Sequence, residues 1–285
     1  MNISINNNPA DITLDTEKTL GDVMTGIEQW LSPLGNRIQT ICVDGKKISE
    51  DELSVSFGME IKNIKHLEIS VSAWRELAAE ALEDLYETCE TYSNAAFSDR
   101  LQIASRWKDS AAARFLSSDI ADMYSFANLT LSGEGLSAME LNILVNERLR
   151  ELTHTADEIK ASGIQVGEIS RRMEDLPLDM QTGKDQRAAE TIQHFSRIGE
   201  KLFRIFFIYK SEGLSLDTFF VENTPCRIFI EEFNSTLREL SQAYEINDTV
   251  LVGDLAEYEL APRLVQFYSA LKNYSESSAI LVSNT

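Results

Sequence analysis

The chain has few of the residues from which metal centres and covalent frameworks are built. Its 285 residues include three cysteines and three histidines. Cys42, Cys89 and Cys226 lie far apart, without a Cys-x-x-Cys pair or a neighbouring histidine, so the sequence predicts no zinc site and no disulfide framework. Free thiols are the default state in a reducing compartment. The cysteines therefore predict a cytoplasmic protein with no metal.

Long apolar runs and targeting signals are also lacking. The most apolar stretch, LFRIFFIY at 202–209, is short and contains Arg204, whereas about 20 apolar residues are needed to span a bilayer. The opening MNISINNNPADITL has no basic region followed by an apolar core, so no secretory signal is expected.

Positive charge is scarce. The chain has 46 acidic and 26 basic residues, which gives a net charge of −20. Such a field repels nucleic acid and anionic lipid, because phosphate binding depends on Lys and Arg. We expect no nucleic-acid and no membrane partner, and a basic protein partner fits better. The preferred interpretation is that the acidic excess only maintains solubility.

The first seventy residues show the alternation of a small sheet. Ile3 and Ile5 alternate with polar residues in a first strand, and Ile12 and Leu14 begin a second strand after the turn NNNPA. TLGDVMTGIEQWL has helical period, IQTICVDGKKI is a hairpin with an Asp-Gly turn, and HLEISVS is the last strand.

This order resembles the ubiquitin-like β-grasp fold and implies an N-terminal domain at 1–72. Two departures limit what the resemblance implies. The last strand runs directly into Ser72-Ala73-Trp74 and a helix instead of ending in a free Gly-Gly tail, so conjugation chemistry is not implied. The outward positions near Glu68 and Ser70 are polar, so docking would use another surface than ubiquitin's apolar patch.

Residues 73–275 have helical periodicity, which predicts an all-α antiparallel bundle, with a frayed tail at 276–285. The first helix should bury one stripe: Trp74, Leu77, Ala78, Ala81, Leu82, Leu85 and Cys89. A second helix is expected from Phe97 to Phe126, with these residues on its buried face: Leu101, Ala104, Trp107, Ala111 and Phe115.

Further helices follow. Ser137 and Glu140 form a capping box that begins a long stretch, which Pro177 should end. Another long helix runs from Asp185 to Tyr209, and a last region, 249–274, should break or kink near Pro262. A set of residues stepping by three and four predicts a coiled-coil seam that could form a homodimer: Ile230, Phe233, Leu237, Leu240 and Tyr244.

The stretch LPLDMQTGKDQRA, 176–188, contains a Gly-Lys pair that invites comparison with a phosphate-binding loop. Leu178 stands where such a loop needs its first glycine, and Asp185 stands where it needs Ser or Thr. The stretch instead predicts an interhelical turn, in which Asp185 complements the dipole of the next helix. Gln181, Thr182, Gly183 and Lys184 are our candidates for partner contact.

The stretch NDTVLVGDLAEYELAPRL, 247–264, crowds carboxylates into a short span. Asp248, Asp254, Glu257 and Glu259 could bind a hard cation, but no calcium-loop spacing is present, and a solvated face with Tyr258 packed inward is the preferred interpretation. Glu257 and Glu259 are further candidates for partner contact.

Both stretches resemble recurring signatures of an uncharacterised family of acidic helical bacterial proteins, over about 137–275. This resemblance brings no activity, substrate or catalytic residue. It implies a helix-pair turn and a kinked helix shared for packing or for a common partner.

Catalytic motifs are lacking as well. The histidines are isolated, and neither a G-x-S-x-G elbow nor an H-E-x-x-H helix is present. We expect a non-enzymatic protein-binding module (an adaptor, assembly factor or regulator) with no cofactor. The alternatives are a chaperone-like escort of a bacterial secretion or motility substrate, and a helical enzyme whose pocket is assembled from distant residues.

Overall fold

A computed structural model describes the backbone of residues 1–283, and the side chains of all of these except 50 and 279–283. Residues 284–285 of the predicted frayed tail lie outside the described residues. The chain divides into two compact units. The first is Met1–Leu149 with Ser211–Gly213, and the second is Arg150–Lys210 with Leu214 onward. The domain boundaries predicted after residues 72 and 275 stay predictions.

The fold class predicted from the sequence is confirmed as a mixed five-stranded sheet followed by a mostly helical region, with 71% of the chain helical. The strands of the sheet are β1 (Asn2–Ile5), β2 (Asn8–Ala10), β3 (Asn36–Val43), β4 (Lys46–Lys47) and β5 (His66–Ala73). Their order is β2-β1-β5-β3-β4, with β1 and β5 parallel and the other pairs antiparallel. A two-stranded ribbon, β6 (Phe220–Val221) and β7 (Thr224–Pro225), lies in the second unit.

The helices up to residue 131 are α1 (Leu20–Leu31), α2 (Glu50–Ser56), α3 (Trp74–Asn94), α4 (Phe97–Lys108), α5 (Ala111–Asp119) and α6 (Ala121–Leu131). Those that follow are α7 (Ala138–Thr153), α8 (Thr155–Glu174), α9 (Leu176–Gln181), α10 (Asp185–Ser211), α11 (Cys226–Glu245), α12 (Thr249–Asp254) and α13 (Ala261–Ser283). A π-helical segment, Leu255–Leu260, joins α12 to α13. No helix of the described chain is long and apolar enough to cross a membrane.

The second strand was predicted in the wrong place. Asn6 and Asn7 both have left-handed φ, 49° and 64°, as a two-residue hairpin turn requires, so β2 begins at Asn8. β1 pairs with it only as far as Ala10, and residues 11–18 pair with no described strand. Ile12 and Leu14 still pack against the core between the sheet and α1, although they are not in a strand.

The single helix predicted from Phe97 to Phe126 is wrong, because three helices occupy this region. Ser110 caps α5 by accepting a hydrogen bond from the Ala113 N–H at 3.0 Å, which starts a new helix in a new direction. The buried face predicted for that helix is wrong as well, because Leu101 is 80% exposed, although Trp107 is buried. The stripe predicted on α3 is confirmed, because its members are buried or half-buried.

The predicted coiled-coil seam lies in the core of the second unit. Phe233 and Leu240 of α11 are buried there, and Ile230, Leu237 and Tyr244 pack against the same cluster. The seam is therefore covered within one chain and is not free to pair with a second copy.

Candidate functional site

Four of the predicted contact residues lie at the end of α9 and in the turn that follows it. Pro177 was expected to end the preceding helix, but α8 ends at Glu174 and Pro177 lies in the first turn of α9, where its missing N–H costs nothing. Asp179 of α9 points inward and its side chain is only 4% exposed. Its carboxylate lies 3.0 Å from the Arg187 Nε and 3.4 Å from the Lys184 Nζ, so the buried charge is paired.

The turn itself confirms the interhelical interpretation. Gly183 has a left-handed φ of 70°, and the Lys184 N–H donates to the Asp179 carbonyl at 2.8 Å. The Thr182 hydroxyl donates to the Leu178 carbonyl at 2.7 Å. Asp185 lies in the first turn of α10, as predicted. Gln181, Thr182, Gly183 and Lys184 are all exposed, and Lys184 faces the Asp179 carboxylate.

The second stretch forms a helix with a widened turn. The Asp248 carboxylate caps α12 by accepting from the Leu251 N–H at 3.0 Å. The π-helical segment then follows, and Pro262 comes one residue after α13 begins. Pro262 has no N–H to donate to the preceding turn, and the π-helical segment lies directly before it. The chain stays helical on both sides, so the helix does not break there, and the alternative of a kink stays a prediction. Short π segments inside helices occur frequently at functional sites.

The structure brings the two stretches together where α9 packs against α12. A Cβ added to Gly253 of α12 would lie 2.7 Å from Cγ and 3.0 Å from Cβ of Pro177, so only glycine allows this approach. The remaining candidates, Glu257 and Glu259, follow α12 in the π-helical segment. No described contact joins them to the side chains of Gln181–Lys184.

Large apolar side chains remain exposed on and beside this helix pair. We call them the apolar surface: Leu178 (57% exposed), Ile246 (75%), Val250 (67%), Leu251 (39%) and Tyr258 (66%). The prediction that Tyr258 packs inward is wrong, because the π-helical turns rotate it away from the core. None of the five was identified from the sequence as an exposed contact residue. The signal was present, since a six-residue helix with apolar residues at 250, 251 and 252 cannot bury all three.

Carboxylates share the segment that carries four of the five residues of the apolar surface. Residues 245–259 contain five acidic residues and no Lys or Arg. The Glu259 carboxylate lies 2.9 Å from the Arg263 guanidinium, which neutralises its charge. The same guanidinium lies 3.5 Å from the Glu232 carboxylate. In the part of the chain that the structure describes, Glu245, Asp248, Asp254 and Glu257 have no cationic partner. The hydrogen bond and negative charge of Glu257 raise the pKa of Tyr258.

A small groove opens between α10 and α11 at the same end of the second unit. Its volume is about 260 Å³, and Ile192, Leu240, Tyr244 and Glu245 line it. α10 begins directly after the Gly183 turn, and α11 leads into Ile246, so the groove adjoins both stretches. Together the groove, the apolar surface and its carboxylates could accept apolar and cationic groups.

Nothing comparable to a reactive centre is found among the described residues. The buried carboxylates Glu151, Glu158 and Asp179 are all paired with Arg or Lys. His66 and His154 are exposed on separate elements, and His194 is half-buried in α10. No group of three His, Cys, Asp or Glu side chains within the described range could hold a metal ion.

Comparison with known proteins finds that two regions are each similar to an uncharacterised domain family. Residues 1–73 match the family described as the TP0873 N-terminal domain, and residues 165–270 match a domain of unknown function, DUF8042. An uncharacterized protein of Treponema pallidum (strain Nichols) is 27% identical over 146 residues, covering 47% of this chain and 72% of the relative. No solved structure gives a significant match. The second family spans α9, α12 and the π-helical segment, so the candidate site lies inside it, and neither family brings an activity.

Proposed function

We propose that the chain is a non-enzymatic protein-binding module and that the apolar surface of its second unit is the contact site. One observation carries this proposal. The two stretches singled out in the sequence pack together through Gly253 and Pro177 and leave five large apolar side chains exposed beside them. Neighbouring exposed apolar groups rimmed by polar residues are typical of protein-interaction sites.

The partner is expected to present apolar side chains together with Lys or Arg. Four carboxylates in the same segment as the apolar surface have no described cationic partner, and they would attract such a protein. The net charge of −20 would steer its approach. Binding would be recognition without covalent chemistry. This role suits an adaptor, assembly factor or regulator, in the cytoplasm that the dispersed cysteines predict.

The N-terminal region would be a ubiquitin-like β-grasp module. The strand order β2-β1-β5-β3-β4, the parallel central pair and the packing of α1 on one face support this proposal. The polar outward positions of β5 favour docking through another part of this region.

The test is site-specific photocross-linking in the cell that makes the protein. Benzoylphenylalanine replaces Val250 in one variant and Leu178 in another. We expect both to cross-link the same protein on irradiation, because both side chains are exposed on two helices that pack against each other.

Ile164, in α8 of the same unit and 74% exposed, provides the matched control position. Benzoylphenylalanine there should not capture that protein. Capture of one protein equally from 164, 178 and 250, or of nothing from 178 and 250, would refute the proposal.

A further inference from the structure

A second apolar groove lies in the first unit, between α1 and the chain that follows β2. Its volume is about 480 Å³. Ile12 and Leu14 form one wall, and Val23, Ile27 and Trp30 of α1 form the other. Trp30 is 57% exposed, whereas Trp74 and Trp107 are buried. An indole exposed at the rim of an apolar groove is well suited to contact another protein.

The wall formed by residues 11–14 has the side-chain pattern of a strand without a partner. Ile12 and Leu14 turn toward the core, and Asp11 and Thr13 are exposed. Residues 11–14 make no backbone hydrogen bond to any described part of the chain. Their N–H and C=O groups are therefore free to pair with an added extended segment, as peptides do at exposed sheet edges.

The adjoining strand β2 limits where such pairing begins. Pro9 lies in the middle of β2, which forms the edge of the sheet, and it has no N–H to donate. An incoming strand therefore gains more hydrogen bonds from residues 11–14, which lie beside the groove.

Gly26 provides an independent indication that the groove receives a ligand. It lies in the middle of α1, lines the groove, and a Cβ added there would meet nothing within 4 Å. Glycine inside a helix is unfavourable relative to alanine, and here no neighbouring atom requires it. Close approach of another chain over α1 explains why no side chain is present.

Charge defines the ligand further. Asp11 and Glu17 line the groove, and Asp15 and Glu28 lie on the same two segments. Lys18 is the only basic residue between 10 and 31. The backbone N–H groups of Glu17 and Thr16 lower the pKa of the Glu17 carboxyl, so this charge is present at neutral pH.

We propose that this groove binds an extended peptide segment of a protein partner, with alternating apolar side chains and Lys or Arg. The segment would pair with the backbone of residues 11–14 and lay its apolar side chains between Ile12, Leu14 and Trp30. Its cations would face Asp11 and Glu17. This site is separate from the apolar surface of the second unit, so either proposal can fail alone.

The test is selection from a random twelve-residue peptide library, displayed on phage, against the full chain. Synthetic versions of the enriched peptides are then measured against wild type, Gly26→Leu and Gly167→Leu. Gly167 lies inside α8 and also has nothing within 4 Å of an added Cβ, so it is the matched control. We expect Gly26→Leu to weaken binding by about tenfold or more and Gly167→Leu to have no effect.

Hydrogen–deuterium exchange of residues 11–14 distinguishes strand pairing from other modes of binding. Bound peptide should slow exchange there and shift the Trp30 emission to shorter wavelength, a shift that Trp30→Phe removes. If Gly26→Leu does not fold, Gly26→Ala and Trp30→Ser replace it with the same expectation of weaker binding. No enrichment, enriched peptides without Lys or Arg, equal binding to Gly26→Leu, or unchanged exchange at 11–14 would each overturn the proposal.

Discussion

Glu151 and Glu158 are almost completely buried in the second unit, and each is held by cations from α10. The Arg204 guanidinium donates to both oxygens of Glu151, at 2.9 Å and 2.6 Å, and Lys201 donates to Glu158 at 2.7 Å. Arg150 supplies a second partner to Glu158 at 2.6 Å. These ion pairs neutralise two carboxylates inside the helical core.

Replacing Glu151 with alanine should destabilise the protein by about 3 kcal/mol, because a partly buried guanidinium loses its carboxylate. Chemical denaturation measures the change. Asp217→Ala is the control, since the Asp217–Arg227 pair is exposed and its loss should destabilise the protein much less than the loss of the Glu151 pair. Equal losses from the two variants would show that the Glu151 pair does not hold the unit together.

Glu158 should make stability depend on pH. Burial raises the pKa of Glu158, but the hydrogen bonds and charges of Lys201 and Arg150 outweigh it and hold the pKa below its ordinary 4.5. Its contribution is therefore complete above pH 4.5 and disappears as pH falls through the folded-state pKa. Wild type should exceed Glu158→Gln in melting temperature at pH 7, with a gap that closes on acidification. A gap that is constant with pH would contradict this pairing.

The cysteines should differ sharply in reactivity. Burial, together with the charge of Glu90, raises the pKa of Cys89 to about 12, and burial raises that of Cys226 to about 11. Only half-buried Cys42 should react promptly with a thiol reagent at pH 8, because thiolate is the reactive form. Mass spectrometry of the labelled peptides identifies the site. Rapid labelling of Cys89 or Cys226 in the folded protein would disagree with their burial.

Replacing glycine with alanine should change stability in opposite directions at two helical positions. Gly26→Ala in α1 should stabilise the protein by about 0.5 to 1 kcal/mol, because the added methyl group meets open space and alanine favours the helix. Gly253→Ala in α12 should destabilise it by about 1 to 3 kcal/mol, because its Cβ would clash with Pro177. Thermal unfolding of the two variants measures whether each change raises or lowers stability. A neutral Gly253→Ala would mean that α9 and α12 do not pack closely.

Helices were predictable from the sequence where apolar residues keep the helical spacing over a long stretch. The stripe of α3 and the span of α10 follow from apolar spacing alone, and the Asp44-Gly45 turn follows from its residue types. Residues 97–126 were misassigned because the apolar spacing continues across Ser110, where a side-chain cap starts a new helix. Local capping overrides periodicity there.

The candidate site was predictable in part. Residues 181–184 and the region of Glu257 were predicted as partner contacts, and they stay predictions. The packing of α9 on α12 joins segments about seventy residues apart in the sequence, and no local pattern specifies it. The orientation of Tyr258 depends on the π-helical turns, which a regular helical wheel does not reproduce.

Across the whole molecule, acidic residues and exposed apolar side chains occur together in each unit. The apolar surface lies beside Asp248, Asp254 and Glu257, and the groove at Trp30 lies beside Asp11 and Glu17. If both proposals hold, the two sites share one ligand chemistry, which is apolar side chains together with Lys or Arg.

The affinity of the cross-linked partner for variants of the second unit tests the central claim most directly. Leu178→Ser combined with Val250→Ser removes two exposed apolar side chains and should leave folding nearly unchanged. Calorimetry should show binding weakened by about tenfold or more in this variant and unchanged in Ile164→Ser. Wild-type affinity in the double variant would contradict the assignment of the apolar surface as the site of binding.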